Sequence, residues 1–278
     1  MRIDILGARG SCPGLTKHKV KYGGNTTCIR VSLDNGKSVI IDAGSGIRTV
    51  GQSLLESQAP IHLLQTHVHW DHIQGFPFFA PIYQDGQQIN IYSPDGDAML
   101  KYLTDQMDGV CFPLTTDAIK ATLTTSDKLN ELSHELGCTI SYIQANHPGQ
   151  CYGYRIEADG HSLVFLPDNQ LGASDVLEQD HALSYFVDFC DGADILIHDA
   201  QYIDSDMPFK RDWGHSLASE ALNLALASNV SQLVLFHHDP DRQDQEIDAI
   251  QDECLSTIQS RKSNLKCCAA YDGMVITL

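Results

Sequence analysis

Short apolar or alternating runs, each closed by Gly, Asn or Asp, recur along the chain at 1–6, 26–33, 37–41, 61–65, 88–93, 139–145, 151–157, 161–166, 194–198, 232–236 and 274–277. Such runs predict strands in both halves of the sequence. Between them the spacing becomes helical. In 243–261, Ile247, Ile250, Cys254, Leu255 and Ile258 form an i, i+3, i+7, i+8, i+11 stripe, the pattern of a helix with one buried face. A second helix is expected through Leu217, Ala221, Leu222 and Ala225, with Ser216 as its cap. Strands throughout, interleaved with helices, predict an α/β fold of four layers: two mixed β-sheets face to face with helices outside, an αββα sandwich. No internal repeat, low-complexity stretch or Pro/Ser linker interrupts the pattern, so 1–278 reads as a single domain.

Composition narrows this. The chain has 278 residues, 42% of them hydrophobic, enough for a substantial core. Its first residues, MRIDILGARGS, lack the apolar core and cleavage site of a secretory signal. No run approaches the roughly 18 apolar residues of a membrane span. The expectation is a soluble, cytoplasmic protein with no membrane partner. Nine cysteines without a CxxC pair argue against a disulfide framework and a thiolate zinc knuckle, and are read as free thiols. A formal charge of −18 repels long polyanions, and the densest basic stretch is only Lys17 to Lys21. A nucleic acid polymer is therefore disfavoured as a partner.

The chemistry concentrates in LLQTHVHWDHIQGFPFF, residues 63–79. If the strand at 61–65 runs on, His67, His69 and Asp71 share a parity while His72 turns away. Two imidazoles then grip one cation, and Asp71 with His72 reaches a second, as in hydrolytic sites whose two ions lie roughly 3.5–4 Å apart. Imidazole with carboxylate selects Zn²⁺ first, with Mn²⁺ or Fe²⁺ as alternatives. The bland reading is a histidine-rich surface loop; four donors within six residues beside a buried strand weigh against it.

The heptad THVHWDH resembles the HxHxDH signature of the metallo-β-lactamase superfamily. The resemblance implies further positions, each at a strand end. Asp42 in VIIDAGSG would orient the histidines from behind, His147 in QANHPGQCYGYRI would be a third histidine, and Asp168 in SLVFLPDNQ a bridging carboxylate. His237 in QLVLFHHDP would be the final ligand, with His238 the alternative one residue along. One metal would take His67, His69, His147 and Asp168, and the other Asp71, His72, His237 and Asp168.

Within that superfamily ILGARGS, GGNTTC at 23–28, LIHDAQY at 196–202 and WGHSLASEA at 213–221 resemble the ribonuclease Z and phosphodiesterase branch. This implies in-line hydrolysis of a phosphodiester by a metal-bridging hydroxide, with Asp71 accepting a proton and His215 protonating the leaving oxygen. Asp199 or His198 would tune His215, and Gly214, His215 and Ser216 would present a helix start to the phosphate. The Gly/Pro-rich basic arm of ribonuclease Z is missing, and 81–137 and 169–193 are mildly acidic. These features favour a small phosphodiester such as a cyclic nucleotide. The alternatives are a ribonuclease Z-like endonuclease, a lactone or carboxylic ester hydrolase, and a metal-dependent binding protein without turnover. Trp70, Phe76, Phe78, Phe79, Tyr83 and Phe112 are candidates to stack on a base, ordinary core packing being the plainer role for each. Many relatives of this branch are dimers, which makes a homodimer the candidate assembly.

Overall fold

The computed structural model describes residues 1–172, 181–207 and 209–278; positions 173–180, within the acidic stretch 169–193, lie outside the described residues. Seven strands pair in the first sheet: β1 (Arg2–Gly7), β2 (Cys28–Ser32), β3 (Ser38–Ile41), β4 (Ile61–Leu64), β5 (Gln88–Tyr92), β6 (Thr122–Ser126) and β13 (Val275–Thr277), in the order β13-β1-β2-β3-β4-β5-β6. Six form the second: β7 (Thr139–Gln144), β8 (Tyr152–Ala158), β9 (His161–Leu166), β10 (Ile195–Asp199), β11 (Gln232–Phe236) and β12 (Lys266–Ala269), in the order β12-β11-β10-β9-β8-β7. Both sheets are mixed. The helices are α1 (Ile47–Leu54), α2 (Trp70–Ile73), α3 (Ala98–Thr104), α4 (Leu129–Leu136), α5 (Leu183–Cys190), α6 (Ala218–Ala227) and α7 (Asp244–Ser260).

Side-chain alternation separates the layers. Ile3, Ile5, Val31 and Ile41 of the first sheet meet Ile156, Phe165, Ile197 and Phe236 of the second in one inter-sheet core. The opposite face of the first sheet, through Ile40, Leu63 and Ile91, packs on Ile47 and Val50 of α1 and Met99 and Leu103 of α3. Val164, Leu196 and Leu235 of the second sheet pack on Phe186 of α5, Leu222 of α6 and Ile250 of α7. Each such fully buried side chain contributes about 1.5–3 kcal/mol, so both faces of each sheet are stabilised by burial. That is the expected four-layer sandwich, with one departure. Leu129, Leu132 and Leu136 of α4 join the inter-sheet core, so α4 does not belong to an outer layer.

Local departures have physical causes. On α7 the buried face is Ile247, Ile250, Cys254 and Ile258, while Leu255 at the edge of the stripe stays 39% exposed. Helix α6 begins at Ala218, and Ser216 does not cap it. The Leu217 N–H donates to the Glu220 carboxylate instead, and the Ser216 hydroxyl donates to the Asn169 carbonyl while accepting the Leu171 N–H. Strands β6 and β12 escape the hydrophobic pattern because both are sheet edges with largely unburied side chains. All nine cysteines are free, and no described helix is long and apolar enough to cross a membrane.

Direction matters most for function. Strands β3 and β4 run parallel, as do β9, β10 and β11, and β7 is antiparallel to β8, itself antiparallel to β9. The segments following β3, β4, β7, β9 and β11 carry Asp42, His67, His147, Asp168 and His237, Asp199 is the last residue of β10, and the contacts described next bring these together.

Candidate metal centre

Strand β4 ends at Leu64, so strand parity does not place the histidines. The chain leaves the sheet at Gln65, whose amide Nε2 donates to the carbonyls of His67 and His72, both at 2.9 Å. This pins the loop against the start of α2. His69 occupies the N-cap position of α2, and Asp71 and His72 lie within that short helix. The sequence expectation that a continued strand aligns His67, His69 and Asp71 is thus replaced by a loop tied down by one buried glutamine.

Two donor groups with no residue in common result, and a third grouping, Asp168, His215 and His237, overlaps both. Ligand atoms of His67, His69, His147 and Asp168 lie within 4.8 Å of one another, as do those of Asp71, His72 and His237. Asp168 stands between them. Its Oδ2 is 3.7 Å from His67 Nε2 and 3.5 Å from His147 Nε2, while its Oδ1 is 3.0 Å from His72 Nε2 and 3.3 Å from His237 Nε2. His237 Nε2 lies 3.0 Å from Asp71 Oδ2, and His69 Nδ1 lies 2.9 Å from His147 Nε2. All of these side chains are buried except His69, which faces solvent.

Each buried imidazole is held from behind through Nδ1. Asp42 Oδ2 takes His72 Nδ1 at 2.8 Å, and Gln201 Oε1 takes His237 Nδ1 at 2.9 Å. The Gly214 carbonyl accepts from His147 Nδ1 at 2.7 Å. Thr66 Oγ1 sits 3.1 Å from His67 Nδ1 and is itself within hydrogen-bond reach of both Asp42 oxygens. These contacts place the proton on Nδ1 and turn the Nε2 lone pairs inward.

Asp42 and His237 both take left-handed backbone angles, φ 64° and 57°. That reversal right after β11 aims His237 inward. His238 turns the other way, donating Nε2–H to the Ala270 carbonyl at 2.9 Å against the edge of Tyr22.

The donor set fits divalent cations. His67 Nε2, His72 Nε2 and Asp168 Oδ1 are buried yet make no hydrogen bond, which would be costly unless another partner satisfies them. Imidazole nitrogens converging on carboxylate oxygens suit Zn²⁺, Mn²⁺ or Fe²⁺. Burial, reinforced by the neighbouring histidines, depresses His67 well below the usual imidazole range, and burial takes His147 down to about 4. Both are therefore neutral donors at neutral pH. Around His72 and His237 burial is outweighed by Asp168 and Asp71, and both are raised. Asp71 and Asp168, despite burial, are held well below the carboxylate range by His72 and His237.

His215 leans over the centre. Its Nδ1 donates to Asp199 Oδ2 at 2.7 Å, and its ring stacks on His237 with centroids 4.9 Å apart. His198 points elsewhere: its Nδ1 donates to the Asp199 carbonyl at 2.7 Å and its Nε2 lies 3.2 Å from Asn169 Nδ2. Its contacts steady Asp199 and Asn169, the neighbour of Asp168. The expected helix start at 214–216 is not there, since α6 begins at Ala218 and the Gly214 N–H already donates to Gln170 Oε1 at 3.2 Å. Of the six candidate stacking aromatics, Phe76 and Phe79 are fully buried in the core, whereas Trp70 and Phe78 are exposed.

Several participants escaped the sequence reading. The Ser11 N–H donates to Asp71 Oδ2 at 2.7 Å, and a Cβ on Gly10 would come within 2.4 Å of the His237 ring. A Cβ on Gly214, whose φ is 88°, would come equally close to His147 Nδ1, at 2.4 Å. Gly10, Ser11 and Gln201 lie inside stretches singled out by resemblance, but nothing in those stretches says what each contacts, and Gly214, expected to face a phosphate, instead turns its carbonyl to His147.

A family model described as "Beta-lactamase superfamily domain" matches residues 37–238. A curated relative named Ribonuclease Z from Staphylococcus carnosus is 26% identical over 317 aligned positions, covering 96% of this chain and 96% of its own. Among solved structures, the metallo-beta-lactamase fold protein YhfI from Bacillus subtilis superposes with a TM-score of 0.66 at 19% identity, over 99% of this chain and 98% of that one. A diphosphatase from the PhnP family gives a TM-score of 0.65 at 18% identity, over 100% of this chain and 97% of the other.

Proposed function

The chain belongs to the beta-lactamase superfamily, and from that premise we propose that it is a metal-dependent hydrolase of phosphodiesters, acting on a small diester such as a cyclic nucleotide. One observation carries the reading: Asp168 turns one oxygen to the His67 and His147 nitrogens and the other to those of His72 and His237. The name of one relative, a ribonuclease, supports the bond class, and that of a solved neighbour, a diphosphatase, supports attack at phosphorus more broadly.

His67, His69, His147 and Asp168 would hold one divalent cation, and Asp71, His72, His237 and Asp168 a second. Zn²⁺ is the first candidate for both. Such cations supply Lewis-acid charge for the phosphoryl oxygens and lower the pKa of water. The chain's own groups do the rest. Asp42, Gln201 and the Gly214 carbonyl fix the tautomers of three ligands, and the Ser11 N–H fixes Asp71. Asp71, with its other oxygen unconstrained by that bond, is placed to accept a proton from the attacking water. His215, whose Nδ1–H is committed to Asp199, has Nε2 left to deliver a proton to the departing oxygen. Asp199 is in turn fixed by the N–H groups of Asn169 and Gln201, so it orients His215 rigidly.

The competing reactions are RNA processing and hydrolysis of a lactone or carboxylic ester. Purified, metal-loaded protein is assayed with bis-p-nitrophenyl phosphate, cyclic nucleotides, p-nitrophenyl acetate, a homoserine lactone and a precursor tRNA. Hydrolysis of the diesters ahead of the esters is expected. Turnover confined to the lactone, to the acetate or to the tRNA would replace this reading with the corresponding alternative, and tight binding of a cyclic nucleotide left intact would make the protein a sensor.

A further inference from the structure

We infer that the chain has a second ligand site, at the end of the first sheet away from the metal centre, which binds a small organic anion through Arg30, Lys37 and His62. The site stands apart from the reaction proposed above and does not depend on it.

The site begins with a short ladder. Strands β3 and β4 pair only at Ile40–Leu63 and Ile41–Leu64, although β3 starts at Ser38 and β4 at Ile61. Where the pairing stops, a cavity of about 500 Å³ is lined by Gly36 and Lys37 of the β2–β3 turn, Ser53 and Leu54 at the end of α1, and Ala59 and Pro60 leading into β4. A volume of that order holds a small organic molecule. The metal ligands follow the opposite ends of the same strands, Asp42 after Ile41 and His67 beyond Leu64. Since the strand from Ser38 to Asp42 spans about 13 Å, the cavity is no extension of the metal centre.

Two buried nitrogens in its wall lack a partner. Arg30 is paired with Ile40 across β2 and β3 and belongs to the face covered by α1, whereas His62 shares the parity of Leu64 and belongs to the inter-sheet face beside α4. Both line the one cavity, which reaches either face where the β3–β4 ladder ends. Among the described residues Arg30 has no ion-pair partner, and its Nε is buried without a hydrogen bond. His62 is only 7% exposed, and its Nδ1 is likewise buried and unpartnered. Leaving such groups unmet costs free energy that a ligand oxygen recovers.

The balance of charge gives the ligand its sign. Lys37 adds a second cation, its ammonium donating to the Glu135 carbonyl. The one carboxylate of the lining, that of Glu135, is 42% exposed and lies 3.5 Å from His62 Nε2. Arg30 and Lys37 thus outnumber the acid in a chain whose formal charge is −18. An anionic oxygen at His62 Nδ1, with Glu135 beyond Nε2, favours the protonated ring, in which both nitrogens donate. The remaining wall, including Ile40, Leu54, Ile61 and Pro60, is apolar. It suits a carboxylate or phosphonate-like head carried on a short apolar body better than a bare inorganic ion.

Zinc-loaded protein with ¹³C-labelled imidazoles is titrated with phenylphosphonate, with benzoate, and with benzamidine as a cation of similar shape. The His62 resonance is identified by its loss in His62→Gln, so the readout is separate from any anion bound at the metal centre. A saturable shift of that resonance is expected with at least one of the two anions, the tighter one naming the head group, and no saturable shift with benzamidine. Arg30→Met keeps most of the stem and removes the charge, and is expected to weaken the anion about tenfold or more. Hydrolysis of bis-p-nitrophenyl phosphate in the absence of the probes should stay unchanged in that variant. A His62 signal unmoved by both anions at concentrations that saturate the metal centre, an equal response to benzamidine, or full affinity in Arg30→Met would overturn the site. The comparison of anions with benzamidine needs only the unaltered chain, so it decides even if Arg30→Met does not fold.

Discussion

Asp42 Oδ2 lies 2.8 Å from His72 Nδ1, with both side chains fully buried and thirty positions apart in sequence. The same carboxylate accepts the Thr66 N–H at 2.8 Å and lies within reach of the Thr66 hydroxyl. It therefore serves several donors at once, with no spare oxygen. Asp42→Asn keeps the volume but supplies one acceptor and two unwanted donors, so His72 loses its fixed tautomer or Thr66 loses its partner. Metal affinity, measured by competition with a chromophoric chelator, is expected to fall about 10- to 100-fold. Unchanged affinity would mean that Asp42 only shapes the turn after β3.

His69 and His215 should separate metal holding from proton delivery. His69→Ala removes the solvent-facing nitrogen of the first group and should lower metal content, abolishing diester hydrolysis. His215 is bound to Asp199 and stacked on His237, and it is assigned no cation here. His215→Ala should keep the metal and slow turnover by about 10²- to 10⁴-fold, the usual worth of a positioned acid or base. Elemental analysis beside kcat decides the matter; two variants alike in both would contradict the division of roles.

Each donor group is also guarded by one glycine. A methyl on Gly10 meets the His237 ring and one on Gly214 meets His147 Nδ1, each at 2.4 Å, closer than packed atoms approach. Gly10→Ala should therefore disturb the group of Asp71, His72 and His237, while Gly214→Ala, strained as well by its φ of 88°, should disturb that of His67, His69 and His147. With circular dichroism unchanged, either variant is expected to lose up to about half of the metal that the unaltered chain binds. Full loading of both would show that the rings can shift without losing their ligand positions.

The donors were readable because a polar residue that ends an apolar strand has few other reasons to be there. Asp42, Asp168 and His237 each follow a run of buried aliphatic residues directly or within two positions. The choice between His237 and His238 was not readable from alternation, because the backbone reverses at His237 itself. Backbone donors and acceptors were equally silent. Nothing in the letters says that the Ser11 N–H meets Asp71 or that the Gly214 carbonyl meets His147, partners 60 and 67 residues apart. The Ser216 cap failed for a related reason, since its hydroxyl is claimed by Asn169 and Leu171 across the fold. Helix start signals are local, and a distant buried carbonyl outcompetes them.

His238 gives a stability prediction independent of turnover. Burial, against a single hydrogen bond to Ala270 O, pushes its pKa from 6.5 down to about 3. In the unfolded chain the imidazole takes up a proton near 6.5; in the folded protein it refuses one until about 3. Below 6.5 the unfolded state therefore binds more protons, and stability falls as pH drops through that window, levelling off near 3. His238→Gln retains an N–H for the Ala270 carbonyl but cannot titrate. Urea unfolding of chelator-treated protein at several pH values should show a pH slope in the variant shallower by up to about 1.4 kcal/mol per unit, one proton's worth. The other buried imidazoles, His67 and His147 among them, keep the remaining slope in both proteins, so the difference isolates His238. Parallel curves would mean that His238 is protonated in the folded state and paired in a way its contact with Ala270 does not provide.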